Sequence, residues 1–155
     1  ALAARLQGHD YHTWVLLGDG DSQEGQIWEA AAVASRYRLG NLTAILDWNG
    51  LQQYGWATDS GYTDLARQPA QENPVERWRS FGWATIAIDG HDHNEIVDAG
   101  HRARATEVPT IVVARTTKGR GISFMENDFN WHAKPPSDEE LQAAFSELAA
   151  QEAAL

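Results

Sequence analysis

The chain has 155 residues, with 22 acidic side chains against 12 basic ones and a formal net charge of −10. That size fits one domain with a continuous core, and the acidic balance excludes a phosphate-neutralising nucleic-acid face. Cysteine is absent, which rules out a disulfide framework, thiolate metal sites and a cysteine nucleophile. No apolar run approaches the roughly 18 residues of a membrane span, and no basic-then-apolar signal segment opens the chain, so a cytoplasmic protein is expected. The only methionine is Met125, and the chain opens on Ala1-Leu2-Ala3-Ala4-Arg5-Leu6, which reads as the end of an amphipathic helix. The expectation is a chain entered partway through a larger domain.

Strands and helices alternate from there. Thr13 to Leu17 is a short β-prone apolar run that stops at Gly18-Asp19-Gly20. Glu24 to Tyr37 reads as a helix with Ile27, Ala30, Ala31, Ala34 and Tyr37 on one face, and Gly40-Asn41 suits its left-handed end. A strand over Leu42 to Asp47 precedes a long loop-like stretch, Trp48 to Gln71, that carries Gly50, Gly55, Gly61 and Pro69. A helix over Pro74 to Phe81, a strand over Trp83 to Ile88, a helix over His93 to Ala105 and a strand over Pro109 to Arg115 follow. Near-continuous apolar strands alternating with helices predict an α/β fold, a parallel sheet with helices on both faces and right-handed crossovers.

The division expected is an α/β domain over 1–136 and an acidic C-terminal helix over 137–155. Ser137 and Glu140 have capping-box spacing, and the helical stretch after them is alanine-rich. From Asp138 onward the chain carries five acids and no base, half of the net charge, most simply read as a solvated face.

In open α/β sheets, ligands bind beyond the carboxyl ends of the strands. The polar and glycine-rich segments stand there: Gly18-Asp19-Gly20, Asp47-Trp48-Asn49-Gly50, Asp89-Gly90-His91-Asp92 and Thr116-Thr117-Lys118-Gly119-Arg120-Gly121. Two glycines let a backbone turn sharply and approach a ligand closely. Asp19 offers a hard oxygen, and free N–H groups of the helix that follows favour a phosphate. The set suits a diphosphate with Mg²⁺, and Asn49 is the second ligand expected from the neighbouring strand end. An ordinary pair of βα turns remains the plain alternative.

Other motifs are incomplete. Gln23 and Phe124 stand where a dinucleotide fingerprint needs its third glycine, Lys118 precedes its glycine rather than completing a Walker A loop, and no nucleophile elbow exists. His91 and His93 read as capping or surface residues, His9 and His12 as solvated loop residues, and His101 as a helix residue without a visible partner. His132, in Asn130-Trp131-His132, is a candidate acid, base or phosphate donor. Of seven tryptophans, Trp28 is expected in the helix–sheet core, and Trp48, Trp56 and Trp131 in loops beside the site, where they suit an interface or pocket wall.

Taken together, Gly18-Asp19-Gly20-x-x-Gln23-Glu24-Gly25-x-x-Trp28-Glu29-Ala30, Asp47-Trp48-Asn49-Gly50-Leu51-Gln52, Asp89-Gly90-His91-Asp92, Thr117-Lys118-Gly119-Arg120-Gly121 and Asn130-Trp131-His132 resemble the thiamine-diphosphate-binding segment of transketolases, in order and over nearly the whole chain. The resemblance implies a thiamine-diphosphate-binding fold, incomplete at its N-terminus. It implies Mg²⁺ held by the side chains of Asp19 and Asn49 and the carbonyl of Leu51, with Gly18 and Gly20 lining the diphosphate site and the Gly20 N–H donating to it. Lys118 would be a positive donor near the cofactor, His132 a group for proton transfer or donor-substrate oxygens, and Glu24 part of an interface network between active sites.

The implied reaction moves a two-carbon ketol unit from a ketose phosphate to an aldose phosphate. The pyrimidine-binding domain of the family, with its activating glutamate, does not lie in this sequence. The chain is therefore expected to need another chain, as in an α2β2 hetero-oligomer, or more of itself, and to be inactive alone. Asp21-Ser22 and Gln53-Tyr54-Gly55-Trp56 depart from the family pattern. A relative using another ketose or acceptor, and a non-catalytic interaction or regulatory homologue, are the alternatives.

Overall fold

Four strands carry the architecture: β1 (Thr13–Gly18), β2 (Leu42–Trp48), β3 (Ala84–Asp89) and β4 (Thr110–Arg115). In the computed structural model, residues 1–51 and 73–153 are described. The expected loop positions Gly55, Gly61 and Pro69, the loop tryptophan Trp56 and the departures at 53–56 lie outside the described residues. The strands form one parallel sheet in the order β1-β2-β4-β3. Five α-helices accompany them among the described residues: α1 (Leu2–Gln7), α2 (Gly25–Arg36), α3 (Pro74–Ser80), α4 (His93–Arg104) and α5 (Asp138–Glu152).

Chain direction explains why helices cover both faces. The β1-to-β2 and β2-to-β3 connections cross the sheet in one direction, whereas β3-to-β4 turns back. Right-handed crossovers then send α2 and α3 to one face and α4 to the other. Successive residues of a strand point to opposite faces, so β4 feeds both cores. Ile111 and Val113 pack with Leu17, Ala44 and Leu46 against Ala31 and Ala34 of α2 and Trp78 of α3. Val112 packs with Ile86 against Ala99 and Ala103 of α4. Small alanines on the buried stripes of α2 and α4 let the helices approach the sheet closely. Trp83, buried beneath α2, donates its indole N–H to the Ala31 carbonyl at 3.0 Å.

Edge and centre differ. β4 is buried over Thr110–Ala114, whereas in the edge strand β1 Leu16 is 72% exposed and Trp14 43%. The expectation of apolar strands covered on both faces therefore holds for the middle of the sheet and not for β1. The expected stripe of α2 also shifts: Ala31 and Ala34 are buried, Ile27 and Trp28 half-buried, and Ala30 and Tyr37 exposed. The helix docks with the turn that carries Trp28, because that ring packs at a tilt against Trp78 and Phe81 at centroid distances of 5.0 and 5.1 Å.

The end of α2 is a second correction. Arg38, at φ 49°, takes the left-handed conformation expected of Gly40-Asn41. Gly40 is required for another reason: a Cβ there would lie 2.7 Å from the Thr106 carbonyl oxygen, so the turn before β2 packs directly on the turn before β4. The capping box forms as expected. Ser137 Oγ accepts from the Glu140 N–H at 3.2 Å, and Glu140 Oε2 accepts from the Ser137 N–H at 2.8 Å. Among the described residues no helix is long and apolar enough to cross a membrane.

Candidate functional site

Register aligns the carboxyl ends of the strands. Gly18 pairs with Asp47, Asp47 with Ala114, and Trp48 and Asp89 with Arg115, so the turns leaving β1, β2 and β4 emerge side by side. A cleft of about 380 Å³ opens among them. Gly18, Asp19, Gly20 and Glu24 line it from the β1 turn, Asn49 and Leu51 from the β2 turn, and Lys118 and His132 from the loop after β4. Residues spread over more than a hundred positions thus reach one cavity because parallel strands end together.

Asp19 is its electrostatic centre. The residue is 2% exposed, and its Oδ2 accepts the Gly50 N–H at 2.7 Å. Gly50 can aim that N–H because it sits at φ 77°, where a side chain would be strained. Burial pushes the Asp19 carboxyl up to about 6, and the neighbouring charge of Asp47 adds to this, while the N–H groups of Gly50, Asn49 and Leu51 pull the other way. An ionised carboxylate taken out of water without a cation is disfavoured, and the shift expresses that cost.

Around it the turns are cross-braced. Asn49 Oδ1 accepts the Leu51 N–H at 2.9 Å, and Asn49 Nδ2 donates to Asp47 Oδ2 at 3.1 Å. The other oxygen of Asp47 accepts the hydroxyl of Thr116. On the β1 turn, Asp21 Oδ2 accepts the Gly18 N–H at 2.8 Å, and Ser22 Oγ donates to the Asp19 carbonyl at 2.6 Å. Trp28 donates to the Ser22 carbonyl at 3.0 Å, which ties α2 to the same turn.

The two glycines do not act as the sequence pattern predicts. Gly20 has φ −64°, an ordinary helical value, and a Cβ on it would meet nothing within 4 Å. A Cβ on Gly18 would meet only Asp21 Oδ2, at 3.5 Å. The turn itself does not need them. They leave open space on the cleft wall, and the Gly20 N–H has no partner among the described residues.

The second wall is a loop. It leaves β4 at Thr116 and runs through Lys118 to a short 3₁₀ turn, Phe129–His132. The neck closes where Asn127 donates its N–H to the Lys118 carbonyl at 2.9 Å. Trp131 belongs to this wall and donates to the Phe124 carbonyl at 2.9 Å. Trp48 has the guanidinium of Arg115 5.0 Å from its ring centroid.

Sequence reasoning missed several neighbours. Asp21, Gln23, Asp47 and Phe129 also line the cleft. Asp47 had a usable signal, since a carboxylate at the carboxyl end of a central parallel strand stands at the ligand-facing edge. His91 is not merely a capping or surface residue: Asp92 caps α4, and His91 Nε2 accepts the Thr117 N–H at 2.7 Å, across 26 positions. His12 is not solvated either. It bonds Thr43 Oγ1 at 2.8 Å, and burial, with the charge of Arg104 adding to it, holds its imidazole below the ordinary value.

A parallel α/β domain with a carboxylate-centred cleft at its strand ends, open at two glycines, is a cofactor-binding domain by architecture. Residues 4–153 match the family model described as transketolase, thiamine diphosphate binding domain, and the chain belongs to that family. It is 44% identical over 131 residues to transketolase-like protein 2 of Bos taurus, covering 84% of this chain and 20% of that one. It is 36% identical over 149 residues to an apulose-4-phosphate transketolase subunit of Phocaeicola vulgatus, covering 96% of this chain and 50% of that one. Among solved structures, the transketolase of Campylobacter jejuni superposes with a TM-score of 0.79 at 30% identity, over 91% of this chain and 21% of that one. The chain spans half or less of the length of these relatives.

Proposed function

We propose that the chain forms the diphosphate- and Mg²⁺-holding part of a transketolase-type transferase that moves a two-carbon ketol unit from a ketose phosphate to an aldose phosphate. The observation that carries the reading is the cleft itself, in which the buried carboxylate of Asp19 faces a wall left open at Gly18 and Gly20.

The donor set fits magnesium. Mg²⁺ takes hard oxygens and few of them from protein, sharing the rest with phosphate and water. Asp19 has a carboxylate lone pair beyond the one used with Gly50, and the Asn49 amide oxygen has one beyond that used with Leu51. The Leu51 carbonyl is the third ligand in this reading. A cation would also offset the burial cost that raises the Asp19 carboxyl.

When bound, thiamine diphosphate supplies the carbon nucleophile and electron sink that cleavage beside a ketone needs. This chain's residues bind and orient. The Gly20 N–H donates to a phosphate oxygen, and Gly18 keeps the wall open. Lys118 supplies positive charge, with no ion-pair partner among the described residues to compete for it. His132, at the end of its 3₁₀ turn, holds or moves a proton near the reacting oxygens. Glu24, the N-cap residue of α2, is assigned to the contact between active sites.

In this reading the activating glutamate lies on a pyrimidine-binding domain, and catalysis requires that domain, either on a partner in a hetero-oligomer such as α2β2 or on more of the same protein; residues 1–155 alone are inactive. The half-length relative, itself named as one subunit of a transketolase, supports it. That relative's name also favours a second reading, in which the donor or acceptor is a specialised sugar phosphate rather than a common one.

Calorimetry with thiamine diphosphate, with and without Mg²⁺, tests the proposal. Metal-dependent binding that Asp19→Ala abolishes is expected, and unchanged affinity in that variant would falsify the ligand assignment. A panel of ketose and aldose phosphates given to the assembled enzyme separates the two substrate readings.

A further inference from the structure

The acidic C-terminal helix is not only a solvated face. Glu147 Oε2 accepts the Ser123 N–H at 2.6 Å, and Glu147 Oε1 accepts the Ser123 hydroxyl at 2.7 Å. One helical turn on, Gln151 Nε2 donates to the Gly121 carbonyl at 2.6 Å. Leu148 Cδ2 lies 3.5 Å from where a Cβ on Gly121 would stand, so residues 147, 148 and 151 present one side of α5 to the loop. The Ser123 N–H and hydroxyl hold the Glu147 carboxyl below the ordinary glutamate range.

The loop so gripped is the one that carries Lys118. Its neck closes at the Lys118 carbonyl through Asn127, and its interior is bonded Ile122 to Gly119 at 3.2 Å and Met125 to Ile122 at 2.9 Å. Gly119 stands at φ 73°, and a Cβ there would strike the Met125 carbonyl, so the neck is folded tightly against the tip. A loop this tightly folded moves as a unit, and fixing its tip at Gly121 and Ser123 fixes the direction of Lys118.

We infer that Glu147 is a positioning residue: by accepting both donors of Ser123 it anchors on α5 the loop that aims Lys118 into the cleft. The consequence for cofactor binding rests on the function proposed above, whereas the anchoring itself does not. Ser123 is exposed and Glu147 half-buried, and contacts this close to the surface add little to global stability. The role is therefore geometric.

The test compares Glu147→Ala with Glu147→Gln in the whole protein, assembled with its partner chain. Amide exchange over residues 118–126 and tryptic cleavage after Lys118 and Arg120 read the anchor. Affinity for thiamine diphosphate with Mg²⁺ reads its consequence. Gln keeps the geometry, because its amide oxygen accepts the Ser123 N–H while its amide N–H donates to the Ser123 hydroxyl oxygen. In Glu147→Ala, exchange at Gly121 and Ser123 is expected to rise about tenfold and cofactor affinity to fall about fivefold at an unchanged melting temperature. Glu147→Gln is expected to match the parent in both.

Unchanged exchange in Glu147→Ala overturns the anchor, as does a Gln variant as loose as the Ala variant. Faster exchange with unchanged cofactor affinity overturns the positioning role. A parent protein that binds no thiamine diphosphate refutes the proposed function instead, and the exchange data still decide the anchor.

Discussion

The wall of the cleft that carries Asp19 and Asn49 and the wall that carries Lys118 and His132 face the same space but are held by different means. On the first, Asp19 and Asn49 directly follow adjacent parallel strands, and Asp19 is fixed by its burial and by the Gly50 N–H at the end of the neighbouring strand. On the second, a long loop is held from outside, by His91 at Thr117 and by α5 at Gly121 and Ser123. A site built from strand ends inherits the rigidity of the sheet. A site built from a loop needs tethers, and each tether is a place where position is lost without loss of fold.

The comparison breaks most sharply at Asp19. Asp19→Asn keeps the acceptor for Gly50 and removes the buried charge, so binding and stability move in opposite directions. Affinity for thiamine diphosphate with Mg²⁺ is expected to fall about 100-fold. The metal-free protein gains about 1–2 kcal/mol at neutral pH, a discounted share of what moving a carboxyl from 3.8 to about 6 implies. Calorimetry and urea melts measure the two. A variant less stable than the parent would mean that burial does not govern this carboxyl.

The same group sets a pH dependence. With its folded value raised to about 6, the native state holds a proton that the unfolded state has released, so metal-free stability falls as pH rises from about 4 through about 6. In the proposed function cofactor binding runs the other way, because a cation on Asp19 competes with that proton. Below about pH 6, affinity is expected to drop about tenfold per unit. Melting curves across that range, with and without Mg²⁺ and thiamine diphosphate, should diverge as pH rises.

On the other wall, Lys118→Ala removes charge and leaves the proposed metal ligands in place. A fall of about tenfold in affinity is expected, the parent's advantage shrinking as salt is added. A loss as large as that of Asp19→Asn would mean that the loop wall contributes as much as the strand-end wall.

This division also decides what can be read from the sequence. Asp19, Asn49 and the glycines follow apolar β-prone runs within a few residues, so the rule that ligands lie beyond parallel strand ends finds them. The same rule finds the segment that carries Lys118, but the role of Lys118 emerges through resemblance to a family, and periodicity alone leaves His132 a candidate among other histidines. Glu147 carries no signal at all, because its partner lies 24 positions away and an alanine-rich acidic helix reads as solvated. The helix stripe fails at Ala30 for a related reason: spacing gives a face, but the tilted packing of Trp28 on Trp78 and Phe81 decides which face docks.

A side-chain hydrogen bond joins the walls directly. The Thr116 hydroxyl, at the root of the loop, donates to Asp47 at the end of β2, and Asp47 in turn holds Asn49. Thr116→Val isolates this link. The methyl that lies 2.5 Å from where a Cβ on Gly90 would stand is retained, so packing over that glycine survives and only the hydroxyl is lost. Asp47 then keeps Asn49 as a partner on one oxygen and loses its donor on the other, a cost of about 1–2 kcal/mol in a urea melt. Because Asp47 stays bonded to Asn49, cofactor affinity should drop only about twofold. Thr116→Ser, which restores the hydroxyl without the methyl, should recover the affinity. If Val matches the parent and Ser does not, the methyl over Gly90 sets the root of the loop and the walls are coupled by packing rather than through Asp47.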